Sequence, residues 1–395
     1  MPQQKSSALS LKRSRLAAFA AQSTVSGSKP QIAITGVEAM PVREPVGGRA
    51  YVIVQVKTDA GITGVGETTA AEPRLLAERL DLLKANLIGQ DALGLEALKR
   101  VIVREAASAQ ERASIYAAMN MALLDVLGKL SKAPAHEVLA GRTREKARGF
   151  AVLHGSEETA LRTSMERAKA AGYRAFSVPL QMPQGPTRGR TFYRETHQLL
   201  ENLRQAAGEG SDFILDCGAQ LSAAEAAGLA VEFERFHLLW LEEPTAEING
   251  KAFSKISAES VTPVGIGRNV VDHAEFQNLL RMDSIDVLRP DMARSGISEV
   301  RRAAALAESY YVAVAPFHRG GPVGTAAALH AAASVPNFFI QEVPFPADDR
   351  DVAMRRELVG ADLEKAQDGF LPLPAGHGLG VTLNEDALRK YALRS

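Results

Sequence analysis

From about residue 148 to 342 the chain alternates short apolar runs with Ala-, Glu-, Leu- and Arg-rich stretches. That alternation limits its fold more than any other feature. The apolar runs are Gly149–Val152, Ala175–Val178, Phe213–Asp216, Leu238–Glu242, Val264–Gly267, Ser284–Arg289, Tyr311–Pro316 and Phe338–Gln341. Between them lie segments of helical pattern such as Ala223–Phe236, Glu299–Ser309 and Val323–Ala333. Strand-helix repetition implies a parallel sheet, and about eight repeats imply a closed α/β barrel of the TIM type.

A barrel of about 250 residues leaves a remainder in a chain of 395. Residues 32–34 and 51–56 read as antiparallel strands, 62–67 as a third, and 74–132 as a helical half. The expected division is a leader at 1–30, an α+β capping domain at 31–135, the barrel at 136–365 and a C-terminal segment at 366–395 that returns to the cap. The leader is basic, with an apolar run at 16–21. It reads as a disordered cytoplasmic leader, with an export signal as the alternative.

Lysine plus arginine equal aspartate plus glutamate at 46 each, so no basic field draws in nucleic acid or an anionic membrane. A small-molecule site is the expectation. Cys217 is the only cysteine, which excludes an internal disulfide and a cysteine-based zinc cluster.

Working residues of such a barrel sit at the carboxyl ends of its strands. Three strand ends carry charge at one interval: Asp216, Glu242 and Arg268, each 26 residues from the next. All three are expected at one mouth. For a single acid the plainer role is a helix cap or a surface ion pair.

The segments Leu215-Asp-Cys-Gly-Ala219, Trp240-Leu-Glu-Glu-Pro244, Val264-Gly-Ile-Gly-Arg-Asn269, Arg289-Pro-Asp-Met292 and Pro336-Asn-Phe-Phe-Ile-Gln-Glu342 resemble, in order and spacing, mandelate racemase and muconate lactonizing enzyme-like members of the enolase superfamily, on the sugar-acid dehydratase branch. Gly64-Val-Gly-Glu-Thr68 and Gly378-Leu-Gly-Val381 resemble the capping domain of that family. The resemblance implies a dimer or octamer and a small carboxylate ligand. It also implies proton abstraction next to that carboxylate, by a dehydratase, racemase or epimerase. Relatives hold Mg²⁺ on three carboxylates. Asp216 and Glu242 match two of them, while the third position is Arg268, a pure donor, so Mg²⁺ is expected to bind weakly or not at all.

Where relatives carry a Lys-x-Lys pair, this chain has Ser177 and Pro179, which closes the lysine-dependent route. Asp291 and His318 resemble the family's Asp-His dyad, the expected base, although a strand register through Ala315 and Pro316 would put Phe317 in the histidine's place. Glu342 resembles a residue that donates to the enediolate. Arg268, Asn269, Arg289, Arg319, His154 and Ser177 are the expected substrate contacts, with neutralisation of nearby acids as the alternative for Arg289 and Arg319. Arg43, Arg49 and Glu67 are expected on cap loops that close over the mouth, although for charged loop residues a plain place in solvent is the favoured expectation. The alternative to turnover is a relative that binds a carboxylate without reacting with it.

Overall fold

The computed structural model describes residues 31–69, 72–105, 108–182 and 189–393; the leader expected at 1–30 lies outside them. The front of the chain forms a three-stranded antiparallel sheet, β1 (Ile34–Arg43), β2 (Ala50–Thr58) and β3 (Thr63–Thr68). Helices α1 (Pro73–Leu87), α2 (Leu95–Glu105) and α3 (Ala109–Leu130) follow, then the short α4 (Ala135–Leu139). The alternation Gly64-Val65-Gly66 has a steric reason. A Cβ on Gly64 or Gly66 would stand 2.0 Å from the carbonyl oxygen of Ala122 or Ala118 in α3, so only glycine lets strand and helix approach this closely.

The barrel strands are β4 (Lys146–Val152), β5 (Ala175–Pro179), β6 (Asp212–Asp216), β7 (Leu241–Glu242), β8 (Val264–Ile266), β9 (Val287–Leu288), β10 (Ala313–Val314) and β11 (Gln341–Val343). All eight pair in parallel, in the order β10-β9-β8-β7-β6-β5-β4-β11. The ring closes where Val314 bridges Phe338, with hydrogen bonds to Asn337 (2.9 Å) and from Phe339 (2.8 Å). The intervening helices are α5 (Glu158–Ala170), α6 (Arg190–Ala207), α7 (Ala223–Glu232), α8 (Gly250–Glu259), α9 (His273–Leu280), α10 (Met292–Glu308) and α11 (Pro322–Ser334).

Side chains alternate across each strand. Phe176, Val178, Phe213 and Leu215 pack outward against the helices, whereas Phe150, Ala175, Ile214, Trp240, Val287, Ala315 and Ile340 fill the barrel interior. After β11 come α12 (Asp349–Val359), β12 (Phe370–Pro372), which pairs antiparallel with β4, and α13 (Glu385–Tyr391). The tail meets the cap sheet where Ala392 bridges Val42 and Leu393 N–H donates to Pro41 O at 2.8 Å. It is also tied to α3 by Asp125, fully buried, which accepts from Leu379 N (2.8 Å), Val65 N (2.9 Å) and Lys129 Nζ (2.7 Å). Among the described residues no helix is long and apolar enough to cross a membrane.

Candidate active site

Strand alternation decides what reaches the mouth. Two residues beyond each interior apolar residue comes a mouth residue: Asp216 after Ile214, Glu242 after Trp240, Arg289 after Val287, Phe317 after Ala315 and Glu342 after Ile340. Together with Arg268 and Arg319 these form one chain of alternating charge. Arg268 donates to both oxygens of Asp216 (3.1 and 3.2 Å). Arg319 joins Asp216 Oδ2 (3.2 Å) to Glu342 Oε1 (2.5 Å). Arg289 donates to Glu342 Oε2 and to Glu242 Oε2 (2.8 Å), and caps the Ala315 carbonyl (2.5 Å). Three guanidinium groups thus stand against three carboxylates. The Phe317 ring lies under all three, with centroids 5.7 Å from Arg268, 5.7 Å from Arg289 and 5.3 Å from Arg319, within cation–π range.

Asp216, Glu242 and Arg268 therefore do meet at one mouth. Glu242 is 2% exposed, and burial, opposed by Arg289, lifts its carboxyl to about 7. Its Oε2 also accepts from Trp240 Nε1 (2.5 Å), whereas Oε1 has no partner among the described residues. Glu243, not anticipated from sequence, holds the Arg268 turn by accepting from Gly267 N (2.9 Å) and Arg268 N (3.0 Å).

Mg²⁺ requires a near-octahedral set of oxygens. Here both oxygens of Asp216 face guanidinium donors, the third position is itself a guanidinium, and of these two carboxylates one oxygen of Glu242 alone is free among the described residues. These residues do not fit the ion.

Four expectations need correction. His318 does not pair with Asp291: lying one residue past Phe317, it points away from the mouth, where Nε2 meets Thr325 Oγ1 (3.0 Å) and Gly321 O (3.2 Å). Burial, helped by Arg355, lowers its pKa to about 3, which makes it a poor base. Asp291 instead caps α10, accepting from Ala293 N (2.9 Å) beside Arg294 (3.4 Å), and burial raises it to about 6. Glu342 is placed as an acceptor and not as the expected O–H donor, since each of its oxygens accepts from an arginine. Arg289 is 1% exposed and fully engaged, so it supports the mouth instead of gripping a substrate.

The other expected contacts vary in access. The Arg319 side chain is 37% exposed and that of Arg268 15%. Asn269 is exposed at the rim. Ser177 is buried on β5, and no side-chain bond ties it to the mouth among the described residues. His154 meets the Phe345 carbonyl through Nε2 (2.9 Å), and burial lowers its pKa.

Of the cap residues, Arg43 is exposed and Arg49 donates to Pro344 O (2.7 Å). The fourth correction is Glu67, which is 2% exposed and not in solvent. It accepts from Gly321 N, Val323 N (3.1 Å) and Gly324 N (3.1 Å) at the start of α11. A second buried cluster, unforeseen from sequence, joins cap to barrel. In it Arg355 donates to Glu44 (2.6 Å), to Glu364 (2.5 and 2.6 Å) and to Gly320 O (3.0 Å).

Residues 160–387 match the family model for the enolase C-terminal domain-like fold, and residues 32–140 match that for the mandelate racemase/muconate lactonizing enzyme N-terminal domain. A D-xylonate dehydratase of Haloferax volcanii is 27% identical, over 93% of this chain and 92% of its own. A D-mannonate dehydratase of Xanthomonas oryzae pv. oryzicola is 28% identical, over 87% and 88%. The solved structure of a mandelate racemase/muconate lactonizing enzyme-like protein from Rubrobacter xylanophilus superposes with a TM-score of 0.82 at 26% identity, covering 93% of this chain and 98% of that one. The chain therefore belongs to the mandelate racemase/muconate lactonizing enzyme family of the enolase superfamily.

Proposed function

We propose that the protein takes a small hydroxy-carboxylate of the acid-sugar class into the barrel mouth. Arg268 and Arg319 grip its carboxylate, and the protein acts as a dehydratase without a bound Mg²⁺. One observation carries this reading: guanidinium groups stand on the carboxylates that would otherwise receive the ion. The dehydratase relatives, matched over most of the chain, support the reaction class and the acid-sugar substrate class.

In such a dehydration a proton leaves the carbon next to the carboxylate and hydroxide leaves the carbon beyond. Negative charge builds on the carboxylate oxygens in between. Paired N–H donors of a guanidinium suit that charge geometrically. Arg319 is the most exposed link of the chain, so a substrate carboxylate can take the place of Asp216 there. Glu242 suits the role of proton acceptor, because its carboxyl is poised near 7 and Oε1 is free of partners among the described residues.

A second reading, binding without turnover, is favoured by the outward turn of His318 and by Ser177 and Pro179 on β5. One experiment separates the two. Chelator-treated protein is titrated calorimetrically with xylonate, mannonate and galactonate, and the mixtures are assayed for the 2-keto-3-deoxy acid. We expect an acid sugar to bind, to be turned over without added metal, and to bind about tenfold or more weakly to Arg319→Gln, which loses charge-assisted hydrogen bonds. Binding with no product supports the second reading. Binding that is indifferent to Arg319→Gln contradicts the proposed grip.

A further inference from the structure

A cleft of about 210 Å³ lies between the cap and the barrel, away from the carboxylates of the mouth. Lys99 of α2 and Arg112 and Tyr116 of α3 line one wall; His273 at the start of α9, with Arg294 and Glu299 of α10, line the other. The two carboxylates at this cleft are already engaged. Glu299 accepts from Lys99 (2.8 Å) and from Arg302 (2.7 Å), and His273 Nε2 lies against its other oxygen without a hydrogen bond. Asp272 caps α9 by accepting from Glu275 N (2.8 Å).

The arginines are less committed. Arg112 has no carboxylate partner among the described residues. Arg294 has a 3.4 Å contact to Asp291 and a 3.3 Å bond to the Arg268 carbonyl. The Lys99 ammonium sits 4.9 Å from the Tyr116 ring centroid, which holds that cation against the wall. The cleft thus has a surplus of donors and positive charge between two protein walls, and a guanidinium fork without a carboxylate is suited to paired bonds with an oxyanion.

We infer that this cleft is a second anion site, which takes a small molecule bearing a carboxylate or phosphate group between Arg112 of the cap and Arg294 of the barrel. An anion there ties the two walls together. Through Arg294 it also abuts the Arg268 backbone and Asp291, directly behind the mouth.

The test uses the full chain carrying Arg319→Gln, in which the grip proposed for the mouth is weakened, so that this site is read separately from that one. Inorganic phosphate and malonate are titrated in turn at constant chloride, first into this protein and then into the same protein with Arg112→Gln. Arg112 is only partly buried and forms no ion pair among the described residues, so the second variant keeps its fold, which circular dichroism verifies. The expected result is saturable one-site binding of at least one anion, weakened at least about tenfold by Arg112→Gln. The anion that binds identifies the head group. No saturable binding of either anion, or equal binding by both proteins, overturns the site.

Discussion

Replacing Glu67 by glutamine should change how stability depends on pH, and the sign of that change is diagnostic. Glu67 is a buried carboxylate on three backbone N–H groups at the start of α11. The helix N-terminus favours its charge, and desolvation opposes it. Desolvation wins: the carboxyl is raised from 4.5 to about 7, with the Gly324 and Gly321 N–H groups offsetting only part of the effect of burial. Because the folded pKa lies above the unfolded one, the contribution to stability is fully present below pH 4.5 and is lost as pH rises to about 7. At about 1.4 kcal/mol per pKa unit, the loss comes to about 3 kcal/mol. Urea unfolding of the unmodified protein and of Glu67→Gln, across pH 4.5 to 8, isolates this contribution as the difference between them. That difference should move against the unmodified protein by about 3 kcal/mol as pH rises. If it moves in its favour, the helix terminus outweighs burial, and the account of this contact is wrong.

Gly378→Ala should destabilise the joint between tail and cap by at least about 2 kcal/mol, because the backbone is left-handed there (φ +68°) and the new Cβ would stand 2.0 Å from Asp125 Oδ1; a melting temperature within about a degree of the unmodified protein would contradict this. Trp240 is the only tryptophan, and its indole N–H is bonded to Glu242 beneath the mouth. An acid sugar that binds in the mouth should therefore shift the intrinsic fluorescence with the same midpoint as calorimetry, and unchanged emission at saturation would place the ligand elsewhere.

All eight barrel strands were legible in the sequence, because each is a short apolar run between helical stretches. The observed strands are shorter in places: β7 begins at Leu241 where the apolar run begins at Leu238. Asp216, Glu242 and Arg268 were legible for the same reason, as charges at strand ends with equal spacing. The motif Ala-Pro-Phe-His leaves two registers open in the sequence, and the paired strands select the one in which Phe317, not His318, takes the inward position. Glu67 was missed because its partners are backbone N–H groups more than 250 residues away, which leave no side-chain pattern. The burial of Arg355 was hidden similarly. It sits in a run of charged residues on α12, and only the closure of the cap shows which of them turns inward.

Guanidinium groups are proposed to hold the mouth where relatives hold Mg²⁺. The most direct test is calorimetric titration of Mg²⁺ into chelator-treated protein and into Arg268→Glu, which restores a third carboxylate and takes the three mouth carboxylates and three guanidiniums from charge balance to a net negative site. The unmodified protein is expected to show no saturable Mg²⁺ binding at millimolar ion, and the variant a clear gain. Tight binding by the unmodified protein, or no gain on Arg268→Glu, would contradict it.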